Sequence, residues 1–210
     1  MPELDHLIYA APDLEAGMAH VESLTGVRPV IGGPHPNMGT HNALLTFDAT
    51  TYFEVIAIDP DQPEPDRDRP FGLTAEASPR LAGYAIHPAP GETLDQVADA
   101  MRAAGFDPGP VRSMSRIKPD GEELHWRLTS SGAAGGNAEG ALPFVIDWGD
   151  SPSPAVSLPS MGRLVELRVT HPDAGMRAVA TALDLGLVVG EGPPSVAAVI
   201  ETPGGRIELT

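Results

Sequence analysis

An internal repeat constrains what this chain can fold into more than any other feature of its sequence. The phrase LDHLIYAAPD at residues 4–13 aligns without a gap on LVELRVTHPD at residues 164–173. His6 falls on Glu166 in this alignment, so a side chain that can bind metal is kept at the same place in both copies. The sequence therefore predicts a supersecondary unit that occurs more than once.

Each copy predicts a strand, a helix and three further strands. In the first copy a strand at 4–10 precedes a helix that begins at Pro12 and ends before Gly26, and HNALLTF and TYFEVIAI supply the last two strands. Gly186 falls on Gly26 when the third copy is aligned. The predicted division is a βαβββ module at 1–59, a linker at 60–80, a second module at 81–149, a linker at 150–161 and a short third module at 162–210.

Two proline-rich stretches separate these units. Residues 59–70 combine Pro with Asp, and residues 150–160 combine Pro with Ser, and neither has a periodic apolar face. Both are expected to lie exposed and without regular structure. The predicted fold class is α+β, with tandem βαβββ modules.

The net charge of the chain restricts the kinds of molecule that it is expected to bind. The chain has 29 acidic and 13 basic residues and a net charge of -16. Nucleic acids and anionic membranes need a basic face, so the composition favours a neutral or cationic small-molecule ligand, or a bound metal ion. With no cysteine, any metal needs His, Asp, Glu or carbonyl ligands. We expect a cytoplasmic protein, because no signal peptide and no apolar run of about 20 residues is present.

The ordered phrases LDHLIYAAPDLEAG, GTHNALLTF, TYFEVIAIDP and LPFVIDWG resemble the glyoxalase-like domain of the vicinal oxygen chelate superfamily. That superfamily includes glyoxalase I, extradiol dioxygenases and bleomycin-resistance proteins. The resemblance implies a cup-shaped mixed β-sheet, flanking helices, and metal ligands on the first and last strands of each module. It also implies a small-molecule ligand and allows a homodimer.

Residue by residue, the resemblance places candidate ligands in the first and third modules. They are His6 and Glu54 in the first, and Glu166 and Glu208 in the third. Zn, Mn, Fe and Ni all suit this set. In the second module, Ala85 occupies the position that corresponds to His6 of the first module. The set is complete only if the first and third modules pair, whereas short connections favour pairing of the first with the second.

Strand alternation predicts which side chains face the cup. If Glu54 points inward, Phe53 packs under the helix. On the first strand, His6 is expected to share its face with Leu4 and Ile8.

The leading functional hypothesis is a metal-dependent lyase, isomerase or dioxygenase acting on a small oxygenated molecule. Glu208 would move the proton. The alternative is a metal-free protein that binds a small ligand, since Arg168 and Arg206 could neutralise the glutamates beside them. Substrate contacts are predicted at His41, Tyr52, Trp126, Arg168 and Arg206, whereas His35, His87 and His125 are interpreted as loop or surface residues.

Overall fold

A computed structural model describes residues 1–66, 68–118, 120–130 and 140–210. The helices among these residues are α1 (Leu14–Thr25), α2 (Leu94–Ala103) and α3 (Ala174–Ala182). The strands are β1 (Glu3–Ala11), β2 (Val30–His35), β3 (Thr40–Thr46), β4 (Tyr52–Ile58), β5 (Arg80–His87), β6 (Val111–Ile117), β7 (Glu123–Thr129), β8 (Phe144–Asp147), β9 (Arg163–Thr170), β10 (Val188–Gly190), β11 (Ser195–Thr202) and β12 (Gly205–Leu209). None of the described helices is long and apolar enough to cross a membrane.

The first eight strands form one sheet in the order β2-β3-β4-β1-β5-β8-β7-β6. β1 runs parallel to β4 and antiparallel to β5, which places His6 between Tyr52 and Ala85. The first predicted unit therefore pairs with the second, and not with the third. The mixed α+β fold and the cup-shaped sheet predicted from the sequence are confirmed.

The cup nearly closes where its two end strands meet. A guanidinium nitrogen of Arg116 on β6 donates a hydrogen bond to the carbonyl oxygen of Gly32 on β2. Gly33 has a φ of 133°, and a Cβ atom built on it would overlap the carbonyl oxygen of Ile117. Glycine is therefore needed at this position for the backbones of β2 and β6 to approach so closely.

Strand alternation divides the side chains between two apolar clusters, as predicted. Phe53 and Leu7 belong to the larger cluster, which also holds the buried face of α1, whereas Ile8 and Ile56 belong to the cluster inside the cup. Leu4 departs from the prediction, because it packs against the helix-side cluster. The pairing of β1 with β5 is irregular between Leu4 and His6, which interrupts the alternation.

Capping residues explain where the helices of the repeat begin. The carboxylate of Asp13 accepts a hydrogen bond from the backbone amide of Ala16 at the start of α1. Asp173 does the same for Met176 at the start of α3. Both helices thus begin two residues after the proline and not at the proline itself.

The third unit keeps the predicted order of elements but not the strand order of the first. Its strands form a separate sheet in the order β10-β9-β11-β12. In that sheet β9 pairs with β10 and β11 and not with β12, whereas the corresponding β1 pairs with β4. The prediction that residues 164–210 superpose on 4–58 is therefore wrong for strand pairing. A βαβββ order permits both arrangements, and local sequence does not choose between them.

The second predicted linker is more structured than expected. It contains a 3-10 turn at Pro154–Ser157, and Pro154 and Ala155 are buried. The backbone amide of Thr46 donates to the carbonyl oxygen of Pro159, and that of Met161 donates to the carbonyl oxygen of Thr46. The expectation of an exposed segment at 150–160 holds for most of its residues but not for Pro154 and Ala155, and the segment pairs with the end of β3 at Thr46. Most of the described residues at 60–69 do lie exposed.

Candidate functional site

The interior of the cup holds a cavity of about 570 Å³, which is a typical size for a small-molecule site. Aromatic rings form much of its wall, and the rings of Trp126 and Trp148 lie 5.3 Å apart between centroids. Tyr52 and Phe144 also line it. A polar group of side chains from the first unit faces these rings, so the cavity combines an apolar wall with a polar floor.

His6 is fixed in the floor by its neighbour in the sequence. Its Nδ1 lies 2.6 Å from Oδ1 of Asp5, and Oδ2 of Asp5 accepts a hydrogen bond of 3.1 Å from the indole N–H of Trp148. An ionised carboxylate only accepts hydrogen bonds, so Nδ1 of His6 carries a proton and Nε2 is the atom left for chemistry. The ring of His6 also stacks on Tyr52, with 4.4 Å between centroids.

Glu54 lies next to that free nitrogen. Its Oε2 is 3.6 Å from Nε2 of His6, and its Oε1 accepts a hydrogen bond of 2.7 Å from the amide of Asn42. The same amide nitrogen lies 3.2 Å from Nε2 of His35, whose Nδ1 is 3.0 Å from the hydroxyl of Thr40. Glu54 is thus a buried carboxylate that is held in one orientation, with one oxygen directed at His6.

Burial sets the charge state of the groups beside Glu54. It lowers the pKa of His35, so the imidazole is neutral near pH 7 and accepts the hydrogen bond from Asn42. Burial also raises the pKa of Tyr52 well above its ordinary value, helped by the charges of Asp5 and Glu54. The phenol therefore stays protonated, and the carboxylates carry the negative charge of the floor.

The structure brings together four of the residues predicted from the sequence. His6, Glu54, Tyr52 and Trp126 all line the cavity. His41 does not, because alternation along β3 directs Thr40 and Asn42 into the cup and leaves His41 near Asp59, at 3.9 Å.

The other predicted residues lie on the second sheet. Arg168 forms ion pairs with Glu166 at 2.7 Å and with Glu208 at 2.8 Å. None of the three lines the cavity, and neither does Arg206, which is exposed. The four predicted ligands therefore do not converge, because the third unit forms its own sheet instead of completing the cup.

The donors in the cup do not fit the four-ligand metal centre that the resemblance implies. His6 and Glu54 are present, but the second unit offers Ala85 opposite His6, and Phe144 pairs with Ala85. Nε2 of His35 is 3.8 Å from Oε1 of Glu54, yet it is already used by Asn42. Among the described residues, no three His, Asp or Glu side chains are arranged to hold one ion. Two free donors fall short of the three protein ligands of catalytic zinc sites.

Four polar residues of the site were not predicted from the sequence. Asp5 was missed because strict alternation turns it away from His6, and the irregular pairing of β1 could not be foreseen. His35 was interpreted as a loop or surface residue, but it is buried on β2. Asn42 and Arg116 carry no motif. Thr40, Asn42 and Leu44 occupy alternate positions of β3 and all line the cavity, so the period of two was the available signal for Asn42.

The fold and the cup define a protein of the vicinal oxygen chelate superfamily. Residues 4–185 match the family model described as a glyoxalase-like domain. The chain therefore belongs to the glyoxalase-like domain family. None of the curated proteins compared with it matches its sequence.

Two solved structures are similar to this chain at low sequence identity. A hypothetical protein from Staphylococcus aureus is 14% identical, with 99% of this chain and 85% of that chain covered and a TM-score of 0.60. Methylmalonyl-CoA epimerase from Mycobacterium tuberculosis is 18% identical, with 68% and 84% covered and a TM-score of 0.41. The similarity to the Staphylococcus aureus protein concerns the fold alone.

Proposed function

We propose that this glyoxalase-like protein is an enzyme that moves a proton at a carbon atom next to a carbonyl group, in a small oxygenated molecule held in the cup. The observation that supports the proposal is the placement of Glu54. Its carboxylate is 8% exposed, lines the cavity, is fixed by Asn42 and lies 3.6 Å from the free nitrogen of His6. A carboxylate and an imidazole that are both held in position can act as the general base and the general acid of a proton transfer.

In this reaction Oε2 of Glu54 takes the proton from carbon. The electron pair of the broken C–H bond forms a carbon–carbon double bond, and the carbonyl π electrons move to oxygen. His6, when protonated at Nε2, donates a hydrogen bond to that oxygen, and Asp5 stabilises the imidazolium from the other side. Return of the proton to carbon completes an exchange or isomerisation. The role that the sequence analysis gave to Glu208 passes to Glu54.

The aromatic wall indicates the other end of the substrate. Trp126, Trp148 and Phe144 present ring surfaces, and stacked or edge-on aromatic pairs add about 0.5–1.5 kcal/mol to the burial of apolar area. A planar apolar group bound there would leave its oxygenated part on the polar floor. Phenylpyruvate has this combination of groups and an acidic carbon atom between them, so it is a suitable probe compound.

Exchange of the benzylic hydrogens of phenylpyruvate for deuterium, followed by NMR, tests the proposal. Wild-type protein should accelerate the exchange over buffer, and the Glu54→Gln variant should lose roughly a hundredfold or more of that acceleration, because glutamine keeps the shape but cannot accept the proton. Glu123→Gln, on the exposed face of β7, is the matched control and should behave as wild type.

Two results would count against the proposed reaction. One is exchange by wild-type protein no faster than in buffer. The other is an equal loss in the Glu54 and Glu123 variants, which would show that any acceleration arises from general surface carboxylates. Circular dichroism of both variants checks that the fold is kept.

A second candidate function is a metal-free protein that binds a small ligand without turnover. The extent of the aromatic wall favours it, since Trp126 and Phe144 of the second half contribute apolar surface and Ala85 lies opposite His6. Quenching of tryptophan fluorescence by phenylpyruvate, with no exchange at carbon, would support binding alone. The chain has only two tryptophans and both line the cavity, so this signal reports on the site itself.

The donor set also predicts metal content. Protein purified without added metal should contain far less than one equivalent of Zn, Mn, Fe or Ni per chain, because His6 and Glu54 are the free donors on the polar floor and no three described His, Asp or Glu side chains are arranged to hold one ion. Elemental analysis of wild-type protein and of Glu54→Gln measures this. Near one equivalent in the wild type, lost in the variant, would instead restore the metal-dependent hypothesis.

A further inference from the structure

A buried cation in the cup has no acidic partner among the described residues. Arg116 is 4% exposed and lines the cavity. No carboxylate oxygen of the described residues lies within 4.0 Å of its guanidinium. Burial lowers the pKa of Arg116, and the charge of Glu54, which acts from beyond that distance, opposes this effect. One nitrogen of the guanidinium donates to the carbonyl oxygen of Gly32. Removing a charge from water is costly unless an opposite charge compensates it, so an unpaired buried arginine beside a cavity indicates that the cavity receives an anion.

Arg116 also lies close to the reactive pair. A Cβ atom built on Gly32 would lie 3.1 Å from Nη1 of Arg116 and would overlap the amide oxygen of Asn42. The amide nitrogen of Asn42 donates to Glu54. Arg116 and Glu54 are therefore separated by one side chain, and a group bound by the arginine would hold its neighbouring atoms close to the carboxylate.

We infer that Arg116 binds the carboxylate of the ligand and that the cup is selective for small organic acids with an apolar or aromatic body. The guanidinium is planar, always charged and suited to paired hydrogen bonds with a carboxylate. This inference rests on the proposed function for the placement of the reacting carbon, but not for the selectivity itself. The net charge of -16 suggests a preference for neutral or cationic ligands. The proposed anion site inside the cup would give the cavity the opposite preference.

The other arginine of the cavity is less suited to this role. Arg80 is only half-buried and donates to the carbonyl oxygen of Phe71. Water can reach its charge, so an anion would gain less there. The selectivity is therefore assigned to Arg116.

Paired probes separate charge recognition from apolar binding. Phenylpyruvate carries a carboxylate, and benzylacetone is an uncharged ketone with the same ring. Wild-type protein should bind phenylpyruvate at least tenfold more tightly in a tryptophan-fluorescence titration. Arg116→Met should weaken phenylpyruvate roughly tenfold to a hundredfold while changing benzylacetone less than threefold, because hydrogen bonds to charged groups contribute about 1.5–3 kcal/mol.

Two further variants keep the test informative. Arg116→Lys retains the charge but not the paired geometry, and it should fall between wild type and Arg116→Met even if the methionine variant folds poorly. Arg112→Met removes an exposed arginine from the same strand and should leave both affinities unchanged. Denaturation curves for all variants show whether each one is folded at the titration temperature.

The outcomes distinguish this inference from the proposed reaction. Equal affinity of wild-type protein for the two probes, no binding of either, or an unchanged preference in Arg116→Lys and Arg116→Met would overturn the inference. Arg116-dependent binding of phenylpyruvate without deuterium exchange would uphold it and reject the proposed reaction. Exchange that persists in benzylacetone would support Glu54 as the base independently of Arg116.

Discussion

Replacing Phe53 by alanine should lower the free energy of unfolding by about 3–5 kcal/mol, since the variant loses both buried area and packing contacts. Phe53 is fully buried on β4, and its ring lies against Tyr9 and Phe47, with centroids 6.1 and 6.2 Å away. The chain cannot collapse into the space left behind, because that space is bounded by the sheet on one side and by α1 on the other.

Urea denaturation followed by circular dichroism measures this loss. Val156→Ala is the control, because Val156 is 67% exposed and its truncation should change stability by less than about 0.5 kcal/mol. Phe53 packs on the helix side of β4, away from the cavity. The folded fraction of Phe53→Ala should therefore bind phenylpyruvate as wild type does. A loss below about 1 kcal/mol would contradict the assignment of Phe53 to the main core.

Gly33→Ala should destabilise the protein by about 2–6 kcal/mol, through two effects that add. The φ of 133° is strained for any residue with a side chain, at about 1–3 kcal/mol. The new Cβ would also overlap the carbonyl oxygen of Ile117, and forcing extra atoms into a packed contact costs about 1–3 kcal/mol more. Relief requires β2 and β6 to separate, which opens the cup beside Arg116.

Gly26→Ala is a matched control for the backbone strain alone. Gly26 also has a positive φ, of 75°, but nothing lies within 4 Å of a Cβ built there, so its cost should be about 1–2 kcal/mol. The difference between the two variants measures the contact between β2 and β6. Gly33→Ala should in addition weaken phenylpyruvate binding, whereas Gly26→Ala should not. Equal destabilisation by the two substitutions would show that the cup does not depend on this contact.

The repeat and the alternation of side chains were sufficient to predict the fold class and the inward face of the first unit. Tyr52, Glu54 and Ile56 share one face of β4 because the period of two is a property of any extended chain. Asp13 and Gly26 bound α1 through local hydrogen bonds and a left-handed backbone, which are also readable from short stretches of sequence.

Pairing between distant strands decided the rest of the site. The alignment of His6 with Glu166 suggested four converging ligands, but β1 pairs with β5, so Ala85 and Phe144 occupy the opposite half of the cup. The alignment correctly predicts the order of elements along the chain, but it does not predict how the strands pair, because the same order of elements allows more than one strand order in a sheet. Glu166 and Glu208 were left with Arg168 on the second sheet.

Short stretches of sequence were enough to predict the alternation along β4, the end of α1 at Gly26, and that His6 and Glu54 belong to one module. The folded sheet was needed to show that Asp5 fixes His6, that His35 is buried beside Asn42, and that Arg116 reaches the cup from the far end of the sheet. The two groups of features differ in the range of the interactions that produce them. Alternation and capping act within a few residues. The irregular pairing of β1 and the contact of β2 with β6 depend on the whole sheet, whose ends must meet before an arginine more than eighty residues away can lie next to Gly32.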